Sequence, residues 1–94
     1  MHAMVRTYSG QGAAEIFDLI EQRQDDLKSL IGGVPGFISY AALRTAEGGT
    51  TVTVCEEKEG TDESARRAAQ WVKENATESP SAPTITEGTA VLQF

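Results

Sequence analysis

Residues 11–31 constrain the fold most, because their apolar side chains recur at the spacing of a single helix face. The opposite side of this stretch is acidic and polar, and the apolar positions are Ala13, Ile16, Ile20, Leu27, Leu30 and Ile31. Gly32 and Gly33 end the helix, since glycine adopts a left-handed conformation without a Cβ clash, and Pro35 prevents its continuation. The pattern therefore predicts one long amphipathic helix that must bury its apolar face against another layer.

Four extended segments surround this helix, and their β-branched and aromatic content is typical of strands. They are residues 2–8, 37–45, 50–56 and 84–94. Glu47, Gly48 and Gly49 predict a hairpin turn between the second and third strands, because Gly-Gly accepts the positive φ values of a tight reversal. Gly88 predicts a bulge or bend within the last strand.

A second helix is predicted over residues 61–76, opened by Gly60 and Thr61. Its predicted inward stripe consists of Ala65, Ala68, Ala69, Val72 and Ala76. The resulting order β-α-β-β-α-β predicts an α+β ferredoxin-like sandwich, in which two helices cover one face of a four-stranded antiparallel sheet.

Composition narrows the functional classes. The 94 residues suffice for one small domain, residues 1–94, and they carry a net charge of −6. This acidic balance argues against nucleic-acid and anionic membrane surfaces, which require clustered cations. No segment approaches the ~20 apolar residues that span a bilayer, and the first residues lack signal-peptide features. Cys55 is the single cysteine, so no intramolecular disulfide forms, and we expect a cytoplasmic protein.

The predicted strands do not alternate between apolar and polar residues as a half-solvated sheet requires. In segments 37–45 and 89–94 the only formal charge is that of Arg44. Two helices cover one face of such a sheet, so the other face requires a cover as well. The pattern favours a homodimer formed through the open face, since symmetric pairs are the commonest oligomers.

The run Val34-Pro35-Gly36-Phe37-Ile38-Ser39-Tyr40, which follows the first helix, resembles the start of the second strand in the antibiotic-biosynthesis monooxygenase-like superfamily. The hairpin, the third strand and a second helix with Trp71 follow in that family's order. The resemblance implies a dimeric α/β barrel, in which the sheets of two protomers pair.

The resemblance implies several activities, because the superfamily includes cofactor-independent oxygenases of aromatic polyketides, heme-degrading enzymes, aldehyde- or quinone-related enzymes and proteins with no known activity. In the oxygenating members a Trp on the second helix cooperates with a nearby Asn and a His or Tyr. Trp71 matches that Trp, Asn75 lies one turn later and Arg67 one turn earlier, and the region contains no His.

A pocket for a small aromatic ligand would combine a stacking surface with a few hydrogen-bond donors. The residue types that fit are Tyr8, Tyr40, Arg44, Arg67 and Trp71, and the alternative is that they are core-edge and interface residues. His2 is the only histidine, so we expect no zinc site and no cofactor. Cys55 lies within a strand without a histidine to activate it, which favours a buried apolar role over a nucleophile.

The sequence is compatible with two alternative functions. The first is a small dimeric α/β-barrel protein without catalysis, which binds a small molecule or serves as a stress-response module. The alternative is a cofactor-independent monooxygenase that acts on a small aromatic, polyketide- or quinol-like substrate, with the protein supplying a shaped, dry cavity. The sequence leaves open whether the protein is an enzyme.

Overall fold

Four antiparallel strands form one sheet in this computed structural model, which describes residues 1–94. The two central strands are β1 (His2–Ser9) and β3 (Gly48–Cys55); β2 (Phe37–Thr45) pairs with β3, and β4 (Thr84–Thr89) pairs with β1. The spatial order is therefore β2-β3-β1-β4. The predicted ferredoxin-like α+β fold is confirmed.

The helical layer contains three helices rather than the two that were predicted. They are α1 (Ala13–Gln22), α2 (Gln24–Gly32) and α3 (Lys58–Asn75). The first predicted helix is interrupted at Arg23, whose φ of −127° and ψ of 44° are not helical. Residues 21–26 contain no apolar side chain, so packing does not hold a straight helix through them. The break lets α1 pack on β1 and β3, and α2 on α3 and β2.

Helix α3 begins earlier than predicted and presents a different face to the sheet. Its N-cap is Glu57, and Gly60 lies in the first turn, where a Cβ would approach that of Cys55 to 2.7 Å. The buried positions are Gly60, Thr61, Ser64, Ala68, Trp71 and Val72. Ala65 and Ala69 of the predicted stripe lie at the margin instead, because the large ring of Trp71 occupies the interior.

The hairpin between β2 and β3 differs from the prediction. Thr45 pairs with Gly48, so the turn consists of Ala46 and Glu47, and both glycines belong to β3. A Cβ on Gly48 would overlap the Tyr8 carbonyl oxygen, and a Cβ on Gly49 would overlap the Phe17 ring. Gly48 is therefore required for the close approach of β1 and α1, and Gly49 for that of α1, rather than for the two-residue turn itself.

Strands β2 and β4 show two further differences. A register shift between Phe37 and Ser39 places an extra residue in β2, so Phe37 lies on the same side as Tyr40. Gly88 pairs regularly with Ala3, and no bulge is found there. The last strand ends at Thr89, and the apolar side chains of the C-terminal tail, residues 90–94, are exposed at Val91, Leu92 and Phe94.

The two faces of the sheet differ in charge. Contacts with Phe17 and with the acidic side chains of α1 identify the helix-covered face, which holds Tyr8, Gly49 and Arg44. Side chains alternate along each strand, so the neighbouring positions form the opposite side, here called the open face. It consists of Ala3, Val5, Thr7, Ser39, Ala41, Leu43, Thr45, Thr50, Val52, Val54, Thr84, Thr86 and Gly88, none of them charged.

No helix combines the length and apolar character needed to cross a membrane.

We predict that Gly49→Ala destabilises the fold, because the new methyl group overlaps the Phe17 ring. Overpacking of this kind costs about 1–3 kcal/mol. Gly88→Ala provides the matched control, since a Cβ there meets no atom within 4 Å. Urea unfolding measures both, and equal midpoints for the two variants would contradict the proposed contact.

Candidate functional site

Three of the residues singled out in the sequence, Tyr8, Tyr40 and Trp71, lie around one interior cavity between the sheet and the helices. Arg6 and Thr51 complete its polar lining, and the apolar remainder includes Ile16, Ile20, Leu27, Ala68 and Val72. Its volume of about 10 Å³ is too small for an organic ligand. The residues around this cavity therefore do not enclose a ligand-sized site on their own.

Arg6 and the two tyrosines determine the electrostatics of this interior. The Nε of Arg6 donates to the Tyr8 hydroxyl oxygen at 3.0 Å, and its Nη2 donates to the same oxygen. Burial raises the pKa of Tyr40 to about 12. The Tyr40 phenol is therefore neutral at physiological pH, and its hydroxyl is available as a hydrogen-bond donor rather than as a base.

A wide cleft lies beside this interior, between β2 and the α1–α2 segment. It has a volume of about 1110 Å³ and is lined by apolar side chains that include Leu27, Phe37 and Ala42. Three residues line both this wide cleft and the interior cavity and so separate the two: Ile20, Leu27 and Tyr40. Glu21 and Lys28 are the charged residues of the lining.

Arg44 lies apart from the tyrosines, at the edge of the sheet. Its guanidinium donates to Asp18 at 3.0 Å and to Glu21 at 2.8 Å, and it is exposed. These ion pairs attach β2 to α1.

Arg67 also lies apart, between α3 and the end of α2. It donates to Glu63 at 2.8 Å and to the Leu30 carbonyl oxygen at 3.0 Å. Hydrogen bonds from Arg66 and then Arg67 lower the pKa of Glu63 to about 2. Like Arg44, Arg67 connects secondary-structure elements.

The other residues that could bind a ligand or take part in a reaction form contacts away from the interior cavity. Asn75 donates to the Trp71 carbonyl oxygen at 2.8 Å and accepts from Arg23 at 2.5 Å. His2 contacts Glu87 at 2.8 Å. Burial raises the pKa of the Cys55 thiol, which disfavours the reactive thiolate. No group of three His, Cys, Asp or Glu side chains is arranged to hold a metal ion.

Arg6 is the residue that the sequence argument did not include among the site residues. Its side chain is only 5% exposed and lies on the helix-covered face with Met4 and Tyr8. The sequence feature that could have identified Arg6 is the alternation of side chains along β1. It places this charged residue between two largely apolar ones on a single face of the strand.

The connection from α3 to β4 is attached to α1 through Glu15. The Glu15 carboxylate accepts hydrogen bonds from the Thr77 amide at 3.0 Å, the Thr77 hydroxyl at 2.7 Å and the Glu78 amide at 3.0 Å. The Thr77 hydroxyl, followed by the two amides, lowers the pKa of Glu15. The ionised carboxylate thus determines where this connection lies.

Neither a protein-family model nor a curated protein matches the sequence. Solved structures do match. SnoaB, a cofactor-independent oxygenase from Streptomyces nogalater, has a TM-score of 0.65 at 15% identity, with 99% of this chain and 95% of that chain covered. The heme-degrader MhuD from Mycobacterium tuberculosis, with two hemes bound in its active site, has a TM-score of 0.66 at 19% identity, with 100% and 99% covered.

A monooxygenase from Streptomyces coelicolor, in complex with nanaomycin D, has a TM-score of 0.63 at 20% identity, with 99% of this chain and 89% of that chain covered. The chain has the fold of the antibiotic-biosynthesis monooxygenase-like proteins. The resemblance seen in the sequence is therefore confirmed for the fold. At these identities the likeness establishes the fold alone, and fold does not determine the reaction.

We predict that Glu15→Gln frees the start of the α3–β4 connection, because an uncharged amide accepts these hydrogen bonds more weakly. Amide exchange at Thr77 and Glu78 should accelerate, as measured by NMR. Glu47→Gln, in the exposed β2–β3 turn, is the control and should leave both rates unchanged.

The same contact predicts a pH dependence of stability. The folded pKa of Glu15 is lowered, so its contribution is complete above the unfolded pKa and is lost as pH falls through the folded pKa. In urea unfolding, the difference between wild type and Glu15→Gln should therefore shrink as the solution is acidified from neutral pH. A difference that stays constant down to pH ~2 would contradict this assignment.

Proposed function

We propose that the protein is a homodimer that binds a small, largely apolar aromatic molecule in the wide cleft between β2 and the α1–α2 segment. The observation that carries the proposal is the cleft itself, about 1110 Å³ in volume, in which the apolar side chains lie around the half-buried phenol of Tyr40 and the charged and polar ones around them. Ligand sites are concave and mostly apolar, with a few placed polar groups.

The lining supports an aromatic ligand rather than a strongly polar one. Phe37 and Tyr40 supply ring surface, and the neutral Tyr40 hydroxyl can donate to a carbonyl or hydroxyl oxygen. Glu21 is already paired with Arg44, so its charge is partly neutralised. The volume of about 1110 Å³ is large enough to admit a molecule of two or three fused rings.

Cofactor-independent oxygenation of such a ligand is the second candidate, favoured by the shared fold with SnoaB and the nanaomycin-bound monooxygenase. That reaction requires a base to generate the substrate carbanion. Tyr40 is held neutral, and the wide cleft contains no histidine. Binding without catalysis therefore has the stronger support, and oxygen uptake distinguishes the two.

The dimer is supported by the uncharged open face. Strands of eight residues in a four-stranded sheet present a face of roughly 19 by 26 Å, or roughly 500 Å², from standard strand spacings. Stable interfaces bury roughly 800 Å² per partner. The exposed tail side chains Val91, Leu92 and Phe94 offer further apolar area that a second copy would cover.

A cytoplasmic location and a single domain over residues 1–94 fit this function. The only cysteine, Cys55, is buried and unpaired, as is common in reducing compartments.

We predict that menadione, a neutral two-ring quinone, binds the wild-type protein and quenches the fluorescence of Trp71. Trp71 is the only tryptophan, and it contacts the interior cavity that Tyr40 separates from the cleft. Ala42→Phe should weaken binding severalfold, because the added ring projects into the cleft on the same strand face as Tyr40 while the core stays intact. Calorimetric titration checks both affinities.

Ala46→Phe adds the same ring to the exposed turn beside this strand and should bind menadione like wild type. Equal affinity in the Ala42→Phe variant would place the ligand elsewhere, and absence of binding to wild type would overturn the ligand claim. Oxygen uptake with menadiol that exceeds the rate in buffer would favour the oxygenase instead.

We predict that wild-type protein has twice the 10.1 kDa mass of one chain in light scattering at micromolar concentration. Leu43→Asp should disrupt the dimer, because Leu43 is 49% exposed in one protomer and would be buried in the interface. Ala14→Asp introduces the same charge on the exposed surface of α1 and should remain dimeric. A monomeric wild type would overturn the dimer proposal.

A further inference from the structure

A second cleft lies at the β4 side of the sheet, separate from the wide cleft beside β2. It is bounded by α3, by β1 and β4, and by the connection of residues 76–83, and its volume is about 570 Å³. This size falls in the range of small-molecule sites, about 300–1,000 Å³. The connection that covers it is the one that Glu15 attaches to α1.

Arg6 reaches this second cleft from the central strand β1. The side chain is only 5% exposed, yet it takes part in no ion pair of the molecule. Its side-chain hydrogen bonds go to the Tyr8 hydroxyl alone, and its guanidinium carbon lies 5.6 Å from the centroid of the Tyr8 ring. A buried cation without an anion is unfavourable, because desolvation is not offset by an opposite charge.

The charges around this cleft are mainly positive, although the chain carries −6 overall. Lys73 and Arg66 lie on its rim with Arg6 further in, and Glu78 is the single carboxylate of the lining. Arg66 is paired with Glu63, whereas Lys73 forms no ion pair. An anion that enters the cleft thus meets two cations that lack a carboxylate partner.

The walls between these cations are apolar. Ala65 and Ala69 of α3 line one side, and Ile85 of β4 lines the other. Ala65 and Ala69 belong to the stripe that the sequence predicted for the core, and here they leave a shallow, smooth surface instead. Such walls favour a hydrocarbon or aromatic body over a heavily hydrated anion such as phosphate.

We propose that this second cleft binds a small organic monocarboxylate, with the carboxylate on Arg6 and the apolar body along Ala65 and Ala69. A guanidinium presents parallel N–H donors that match a carboxylate, and such charge-assisted bonds are roughly twice as strong as neutral ones. Lys73 adds a weaker attraction at the rim. The proposal is independent of the wide cleft and of its aromatic ligand.

Octanoate is the probe, and octanamide is its neutral counterpart. We expect octanoate to bind wild type in calorimetric titrations and to raise its unfolding temperature, with octanamide binding at least about tenfold more weakly because it lacks the charge. Added salt should weaken octanoate binding. Arg6→Met should reduce affinity about tenfold or more, and Lys73→Gln less than that.

Three further variants keep the test decisive if Arg6→Met folds poorly. Ala69→Phe projects a ring into the second cleft without removing a charge and should weaken octanoate binding severalfold, whereas Gln70→Phe adds the same ring to the neighbouring exposed position and should not. Lys28→Gln removes a cation from the wide cleft and should have no effect. Equal binding of octanamide, unchanged affinity in Ala69→Phe or the absence of octanoate binding to wild type would each overturn the proposal.

Discussion

The contact between Phe17 and the backbone of β3 positions the helical layer over the sheet. Gly49 has no side chain at the point where the Phe17 ring lies, and the same ring meets Tyr8 edge to face, with centroids 6.0 Å apart at 70°. This close approach determines how far α1 lies from the central strands. Leu19 then reaches the core, and Glu15 at the start of the helix reaches the α3–β4 connection.

Charge divides the molecule into regions with different chemistry. The open face carries no charge, and its side chains are apolar and hydroxyl groups. The helix-covered face, in contrast, contains the buried guanidinium of Arg6 beside Tyr8. The two clefts lie at opposite edges of the sheet, one beside β2 and the other beside β4, and they share no charged residue.

The element order could be predicted because each signal was local. Helical periodicity over residues 13–31, the β-branched content of β3 and the glycines before Pro35 depend only on neighbours in the chain. The errors arose where distant residues decide the outcome. The polar residues 21–26 allow the helix to break at Arg23, but the packing of α2 on α3 fixes where α2 then lies. Strand β4 ends at Thr89 because no neighbouring strand within the protomer continues the pairing.

Part of the candidate site could also be predicted from the sequence, because residue type is a local property. Aromatic residue type suggested Tyr8, Tyr40 and Trp71, and the structure brings these three together, whereas Arg44 and Arg67 were equally plausible by type but form ion pairs elsewhere. The partner with which each arginine forms an ion pair depends on which acidic side chains lie close to it in the folded protein. No local pattern in the sequence contains that information.

By itself, the sequence determined the strand and helix order, the acidic character and the lack of charge on one sheet face, since these follow from residue type and from periods of 2 and 3.6. Only the tertiary structure decided that Arg6 is buried without a carboxylate, that Gly49 accommodates Phe17 and that Ala65 and Ala69 line a cleft rather than the core. These outcomes depend on the rotation and distance of whole helices relative to the sheet. Side chains far apart in the chain set those distances jointly by their packing, so no single segment specifies them.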